Sequence, residues 1–207
     1  MNSKNKIKDL WKRFWFLLWK DDSFKGWIFS IIVIFIFIKF IFFPVLSLVT
    51  GTVLPLAIVE SCSMYHDGNL LSDYDEWFNN NEGKYSNYGI EKNEFESFIF
   101  KNGFNKGDIL FIIGTNPEKL KIGDVIIFNA GTNNPVIHRI IETKEQNGNR
   151  VFSTIGDNNN GQLNFEKDIS ENRIIGKAAF KIIPYVGWIK LIFFEGNKSP
   201  SDRGFCK

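Results

Sequence analysis

Three short stretches of this 207-residue chain bring together side chains that could do covalent chemistry. Ser61-Cys62-Ser63-Met64 offers two hydroxyls and a thiol, His138 offers an imidazole beside Arg139, and Gly156-Asp157-Asn158-Asn159 offers a carboxylate. An imidazole within reach of a hydroxyl makes it a usable nucleophile, and a carboxylate behind the ring fixes its tautomer. Each stretch also has a plainer reading. A strand histidine is often structural, Gly-Asp-Asn suits an Asx turn, and Cys62 is more simply a small buried residue than a nucleophile. With only His66, His138, Cys62 and Cys206, neither a structural nor a catalytic zinc site is easily assembled, so no metal and no cofactor are expected. A net charge of +2 makes no case for nucleic-acid binding. Cys62 and Cys206 are expected to remain unpaired, although an oxidising compartment would permit a bond.

The elements that must position these groups begin with an anchor. From Trp27 to Val49 the polar side chains are Ser30, Lys39 and Ser47, and about 20 apolar residues suffice to cross a bilayer as a helix. The stretch is longer than the apolar core of a cleavable signal peptide, so it reads as a retained signal anchor over residues 26–50. Lys39 can snorkel outward, and Pro44 is expected to kink or end the regular helix. Residues 1–25 hold seven cations against three aspartates, a local charge of +4, while the rest carries −2. That asymmetry places the amino end in the cytoplasm and residues 51–207 outside. Leu10 to Trp19 interleaves aromatics and cations, as suits a helix lying in the headgroup layer or one docked on a partner.

Beyond the anchor, residues 70–104 read as helical, with Glu91, Phe95, Phe98, Ile99 and Asn102 at three-four spacing and Gly103 as a cap. From residue 107 the pattern changes to strands: Asp108 to Ile113, Asp124 to Phe128, Val136 to Thr143 and Arg150 to Ile155 around Asn147-Gly148, then Arg173 to Ile183. The outer domain is therefore mainly β, with a helical insertion at 67–105. Tyr185 to Phe194 is apolar but too short to span, so it is either core or a surface that dips into lipid.

Taken in order, SCSM at 61–64, KGDILF at 106–111, IGDVIIF at 122–128, PVIHRI at 135–140, TIGDNN at 154–159 and IGKAAFKIIPYVG at 175–187 resemble the type I signal peptidases, in their archaeal and endoplasmic-reticulum branch. The resemblance implies a signal-peptidase-like β domain on an N-terminal transmembrane helix, acting as a membrane-bound serine endopeptidase. Ser63 matches the family nucleophile, His138 the base that replaces the bacterial lysine, and Asp157 a family acid. The Ser63 N–H and the Ser61 hydroxyl match the oxyanion donors. The implied partners are signal peptides of secreted preproteins and membrane lipid, with the translocation channel as a further candidate, and the implied place is the plasma membrane.

The chain departs from the family at three points. His66 stands where a proline is usual, two residues after Met64. The second aspartate, about six places beyond the first, is missing, so Asp157 alone is expected to orient His138, with Glu166 a poor substitute. The 67–105 stretch is longer than in eukaryotic relatives. Two other readings stay open: a non-catalytic membrane-anchored β domain serving as scaffold or binding module, and a self-cleaving repressor-type peptidase, which the anchor and His138 oppose.

Overall fold

The computed structural model describes residues 3–68, 74–132, 134–146 and 148–206. It divides into two compact units, residues 1–49 and 50–207. The first unit begins with α1 (Ser3–Trp19) and α2 (Phe24–Phe37). They meet through Phe14 and Phe29, edge to face at 5.7 Å, and through the Ser30 hydroxyl, which donates to the Leu18 carbonyl at 3.0 Å. Ser23 caps α2 by accepting from the Gly26 N–H at 3.2 Å.

The expected effect of Pro44 takes a specific form. The helix widens to a π turn over Ile38–Phe42 and then resumes as α3 (Phe43–Thr50). Proline lacks an N–H, and its ring clashes with the carbonyl four residues back. The wider turn, in which the Phe43 N–H reaches back to the Ile38 carbonyl, takes up that clash. The continuous helix from Phe24 to Thr50, 27 residues, is long and apolar enough to cross a membrane. Lys39 lies over the Phe35 and Phe40 rings at 5.9 and 5.4 Å.

The second unit is a seven-stranded antiparallel sheet, in agreement with the mainly β expectation. Its strands are β1 (Leu56–Ile58), β2 (Ile109–Ile113), β3 (Val125–Phe128), β4 (Val136–Gln146), β5 (Asn149–Ile155), β6 (Ile169–Ser170) and β7 (Ile174–Ile183). They lie side by side in the order β1, β2, β7, β3, β4, β5, β6. Alternation explains why β3 is central. Val125 and Ile127 join one core with Leu110, Ile112, Met64 and Phe104, while Ile126 and Phe128 join another with Ile140 and Phe152. Of the predicted hairpin turn, Gly148 has φ +77, which glycine tolerates, and Asn147 lies outside the described residues.

The insertion differs from its expected single helical run, whose residues 70–73 lie outside the described residues. It forms α4 (Tyr74–Ser86) and a short α5 (Lys92–Glu96), followed by turns to residue 104. Phe78, Tyr85 and Phe95 are fully buried with Ile141 and Ile155 of the sheet. Each such ring is worth roughly 1.5–3 kcal/mol of burial, enough to hold a helix this polar against β4 and β5. Gly103 does not cap α5, which ends at Glu96. At φ +65 it lets the chain pass Met64 and His66, whose atoms an added Cβ would meet at 2.4 and 2.6 Å.

Tyr185 to Phe194 is core only in part. In α6 (Trp188–Leu191) Leu191 is buried, whereas Ile189, Ile192 and Phe193 are exposed. Contrary to expectation, Cys62 and Cys206 form a disulfide. Nothing local in the sequence marks a bond across 144 positions; the C-terminal turns, folding back over α6, bring the two together.

Candidate active site

Ser63 sits at the corner of a turn closed by the Tyr65 N–H donating to the Cys62 carbonyl at 3.0 Å. The next side chain, Met64, is 2% exposed and locked into the first core cluster, so the turn is pinned from below while the Ser63 hydroxyl faces outward. His138 comes from β4, where its neighbour in β3 is Ile126. Its Nε2 lies 2.9 Å from Ser63 Oγ, so the structure joins these two as the sequence led us to expect. Gly156 makes room for the ring: a Cβ there would lie 2.9 Å from His138 Nε2 and 2.6 Å from Asn159 Nδ2.

The acid behind the imidazole is not the expected one. His138 Nδ1 is hydrogen-bonded to Glu166 Oε1, a carboxylate with no solvent exposure. Glu166 stands in the 3-10 turn Asn164–Glu166, and its other oxygen accepts from the Leu163 N–H at 2.5 Å. Gln162 steadies the turn by donating to the carbonyls of Thr154 and Glu166, at 3.1 and 3.2 Å. The tautomer that satisfies both contacts has the proton on Nδ1, leaving Nε2 to accept from Ser63. The signal for Glu166 was present but slight: it is the first carboxylate after Asp157, and it follows Leu163 at the spacing of a capping glutamate.

Asp157, expected to orient His138, is turned away into a buried cage. It accepts from Arg139 Nε at 3.0 Å and Nη2 at 2.6 Å, from the Tyr85 hydroxyl at 2.9 Å, and from His66 Nε2 at 2.9 Å. Arg139, fully buried, spends its remaining donors on the carbonyls of Ile99, Phe100 and Gly123. Phe100 reaches that position in the left-handed region, at φ 63. Burial alone would raise the Asp157 pKa, but Arg139 and then His66 outweigh it and hold the carboxyl well below the usual range. Burial lowers the pKa of His66 against the pull of Asp157, so the ring is neutral and donates; it stacks on Trp77 at 3.5 Å. The physical reason for the correction is pairing. A buried guanidinium left alone costs several kcal/mol, and Asp157 is the carboxylate bonded to Arg139, leaving His138 to the next acid along the chain.

The expected oxyanion group Ser61 lies beside the nucleophile, with its Oγ 3.0 Å from Ser63 Oγ. Ser61, Ser63 and His138 line a groove of about 660 Å³, with Leu56, Ile58, Met64, Phe104 and Ile137 among its apolar lining. On one flank runs β1, the edge strand. On the other runs the start of β4, where residues 136–138 pair with β3 and the β5 pairing begins only at Arg139. Two partly open backbone edges therefore face an apolar trough that ends at a hydroxyl, an imidazole and a carboxylate in series. Such a site can accept an extended peptide and deliver an activated hydroxyl to it. Among the described residues no cluster of ligating side chains fit for a metal occurs.

No protein-family model matches the chain. It is 32% identical over 106 residues to the signal peptidase complex catalytic subunit SEC11C of Homo sapiens, and equally to that of Mus musculus, covering 46% of this chain and 53% of each relative. It is 28% identical over 99 residues to the signal peptidase complex catalytic subunit SEC11 of Colletotrichum graminicola, covering 44% of this chain and 57% of that one. The chain thus spans about half the length of the curated relatives it matches. On this similarity, the chain is a homologue of the SEC11-type signal peptidase catalytic subunits.

Proposed function

We propose that the protein is a membrane-bound serine endopeptidase that removes N-terminal signal peptides from secreted preproteins. The observation that carries this reading is the hydrogen-bonded series Ser63, His138, Glu166 at the end of an apolar groove. The substrate would lie extended between β1 and the start of β4, adding a strand to their free edges. Shallow apolar walls favour small side chains before the cut, because larger ones overpack.

Ser63 Oγ attacks the scissile carbonyl while His138 Nε2 takes its proton. The imidazolium then gives that proton to the leaving amine, and water repeats the sequence to free the acyl group. Glu166 holds the Nδ1–H tautomer and balances the transient positive charge. The Ser63 N–H and the Ser61 hydroxyl receive the oxyanion, where one donor is typically worth about 2.7–4 kcal/mol. Asp157 plays no direct part; its neighbour Asn158 ties the turn 156–159 to the nucleophile, its N–H donating to the Ser63 carbonyl at 2.8 Å.

The helix Phe24–Thr50 would anchor the enzyme in the plasma membrane, amino end in the cytoplasm, where signal peptides emerging from the translocation channel meet Ser63 at high local concentration. Cleavage of a model preprotein by membranes holding the wild type, Ser63→Ala or His138→Ala tests the reading. Each variant should lose on the order of 10⁴-fold or more in turnover, because members of such a unit fail together. Unchanged cleavage by Ser63→Ala would remove the serine mechanism.

A further inference from the structure

The C-terminal segment 195–206 adds no strand to the sheet, yet it grips the residues that carry the nucleophile. Cys206 is bonded to Cys62, immediately before Ser63. Lys198 Nζ donates to the Glu60 carbonyl at 2.7 Å, and from α6, outside the segment, Lys190 Nζ meets the Glu60 carboxylate at 2.9 Å. The segment's own path is set by Lys106, which is 1% exposed. Its Nζ bonds Glu195 Oε2 at 2.8 Å and the Asp202 carbonyl at 2.6 Å, and Glu195 also accepts from the Gly204 N–H at 2.8 Å. A buried cation must find its partners, so Lys106 dictates where the segment lies. From the opposite side, Asn158 donates to the carbonyls of Ser63 and Cys62, at 2.8 and 3.1 Å. Residues 60–63 are therefore suspended between two grips, and the reach from Ser63 Oγ to His138 depends on both.

We propose that segment 195–206 is a positioning clamp for Ser63, completed by the Cys62–Cys206 bond, so that full turnover belongs to the oxidised protein. This rests on the peptidase reading above. A chain still in a reducing compartment would hold Ser63 loosely, and oxidation after export would align it. The chemistry is thiol–disulfide exchange with a dithiol. One thiolate of the reductant attacks the Cys206 sulfur, and the S–S bond breaks to release the Cys62 thiolate, which takes up a proton. The second thiol of the reductant then closes its own disulfide and frees Cys206 as a thiol. Two electrons pass from reductant to protein, and a disulfide oxidant reverses the exchange. Most of the groove wall stands on β1, β3 and the start of β4, and the clamp and its stretch add only Glu60, Ser61, Ser63 and Lys198, so alignment for attack is affected more than substrate binding.

The test uses the full-length chain in detergent, oxidised, reduced with dithiothreitol, reoxidised with glutathione disulfide, and as Cys206→Ser. Cleavage of a model preprotein is measured beside amide hydrogen exchange. Reduction and Cys206→Ser should each lower kcat by about tenfold or more while KM stays within about threefold, the mark of lost alignment. Reoxidation should restore the wild type alone, and amides 59–65 should lose protection while those of β3 and β4 keep theirs. Equal kcat in oxidised and reduced protein overturns the clamp. So does loss of protection across β3 and β4, which would make the bond a staple for the whole fold. If the oxidised wild type cleaves no better than Ser63→Ala, the peptidase reading fails instead, and the exchange pattern still decides whether the clamp exists.

Discussion

Glu166, and not Asp157, stands against His138 Nδ1, and single substitutions separate the parts proposed for the two. Glu166→Gln should leave the fold intact and reduce turnover by on the order of 10³- to 10⁴-fold, since an amide can hold the wrong imidazole tautomer. Asp157→Asn acts on stability instead. It leaves Arg139, buried and forked onto that carboxylate, without its counter-charge, a change that typically costs about 3–5 kcal/mol. Thermal unfolding beside preprotein cleavage decides the matter: if Asp157→Asn is stable but inactive and Glu166→Gln is active, the assignment is reversed. The sequence made the proposed nucleophile and base legible because a turn presents Ser63 and a strand presents His138, 75 positions apart. It left the acid nearly hidden because which carboxylate faces His138 depends on where Arg139 points, and the spacing of Glu166 after Leu163 gives only a slight sign of that.

Strands marked by apolar runs and turn signals, β2, β3, β4, β5 and β7, were legible to within a few residues. Those set by tertiary demand were not. β1 and β6, three and two residues long, are too short for any period to show. The insertion reads as one helical stripe, yet the chain leaves helix after Glu96 so that the Ile99 and Phe100 carbonyls can reach Arg139. His66 joins this insertion to the sheet through Trp77 and Asp157, and it gives the packing a pH dependence. Its folded pKa is lowered, chiefly by burial, so the unfolded chain takes up a proton that the folded one refuses. The stability this contributes is complete above the free imidazole value of about 6.5 and is lost as pH falls below it. Asp157, held low by Arg139 and His66 against its burial, adds a second loss that begins below about 4, the free carboxyl value. Urea midpoints from pH 8 to 3 should therefore fall in two stages for the wild type. His66→Gln should lack the stage between pH 7 and 5 and keep the acid one; parallel curves for the two proteins would show that His66 is not the group responsible.

For the whole molecule, charge decides orientation. The excess of cations before the span should keep the amino end in the cytoplasm. External protease added to sealed vesicles should then digest the β4–β5 hairpin only where the extracytoplasmic face is exposed. Digestion from the cytoplasmic face would invert the topology and remove secreted preproteins as substrates.

The turn that delivers Glu166 has a consequence for how relatives of this chain are sorted. A survey demanding an aspartate six places past the first would file this protein among the inactive members, a pseudoenzyme that had lost its third group. What the imidazole needs is a carboxylate at one point in space, and a loop of different length can bring one there from another position. Losses of that aspartate elsewhere in such lineages are therefore better examined as relocations, by asking which later acidic side chain folds back against the histidine.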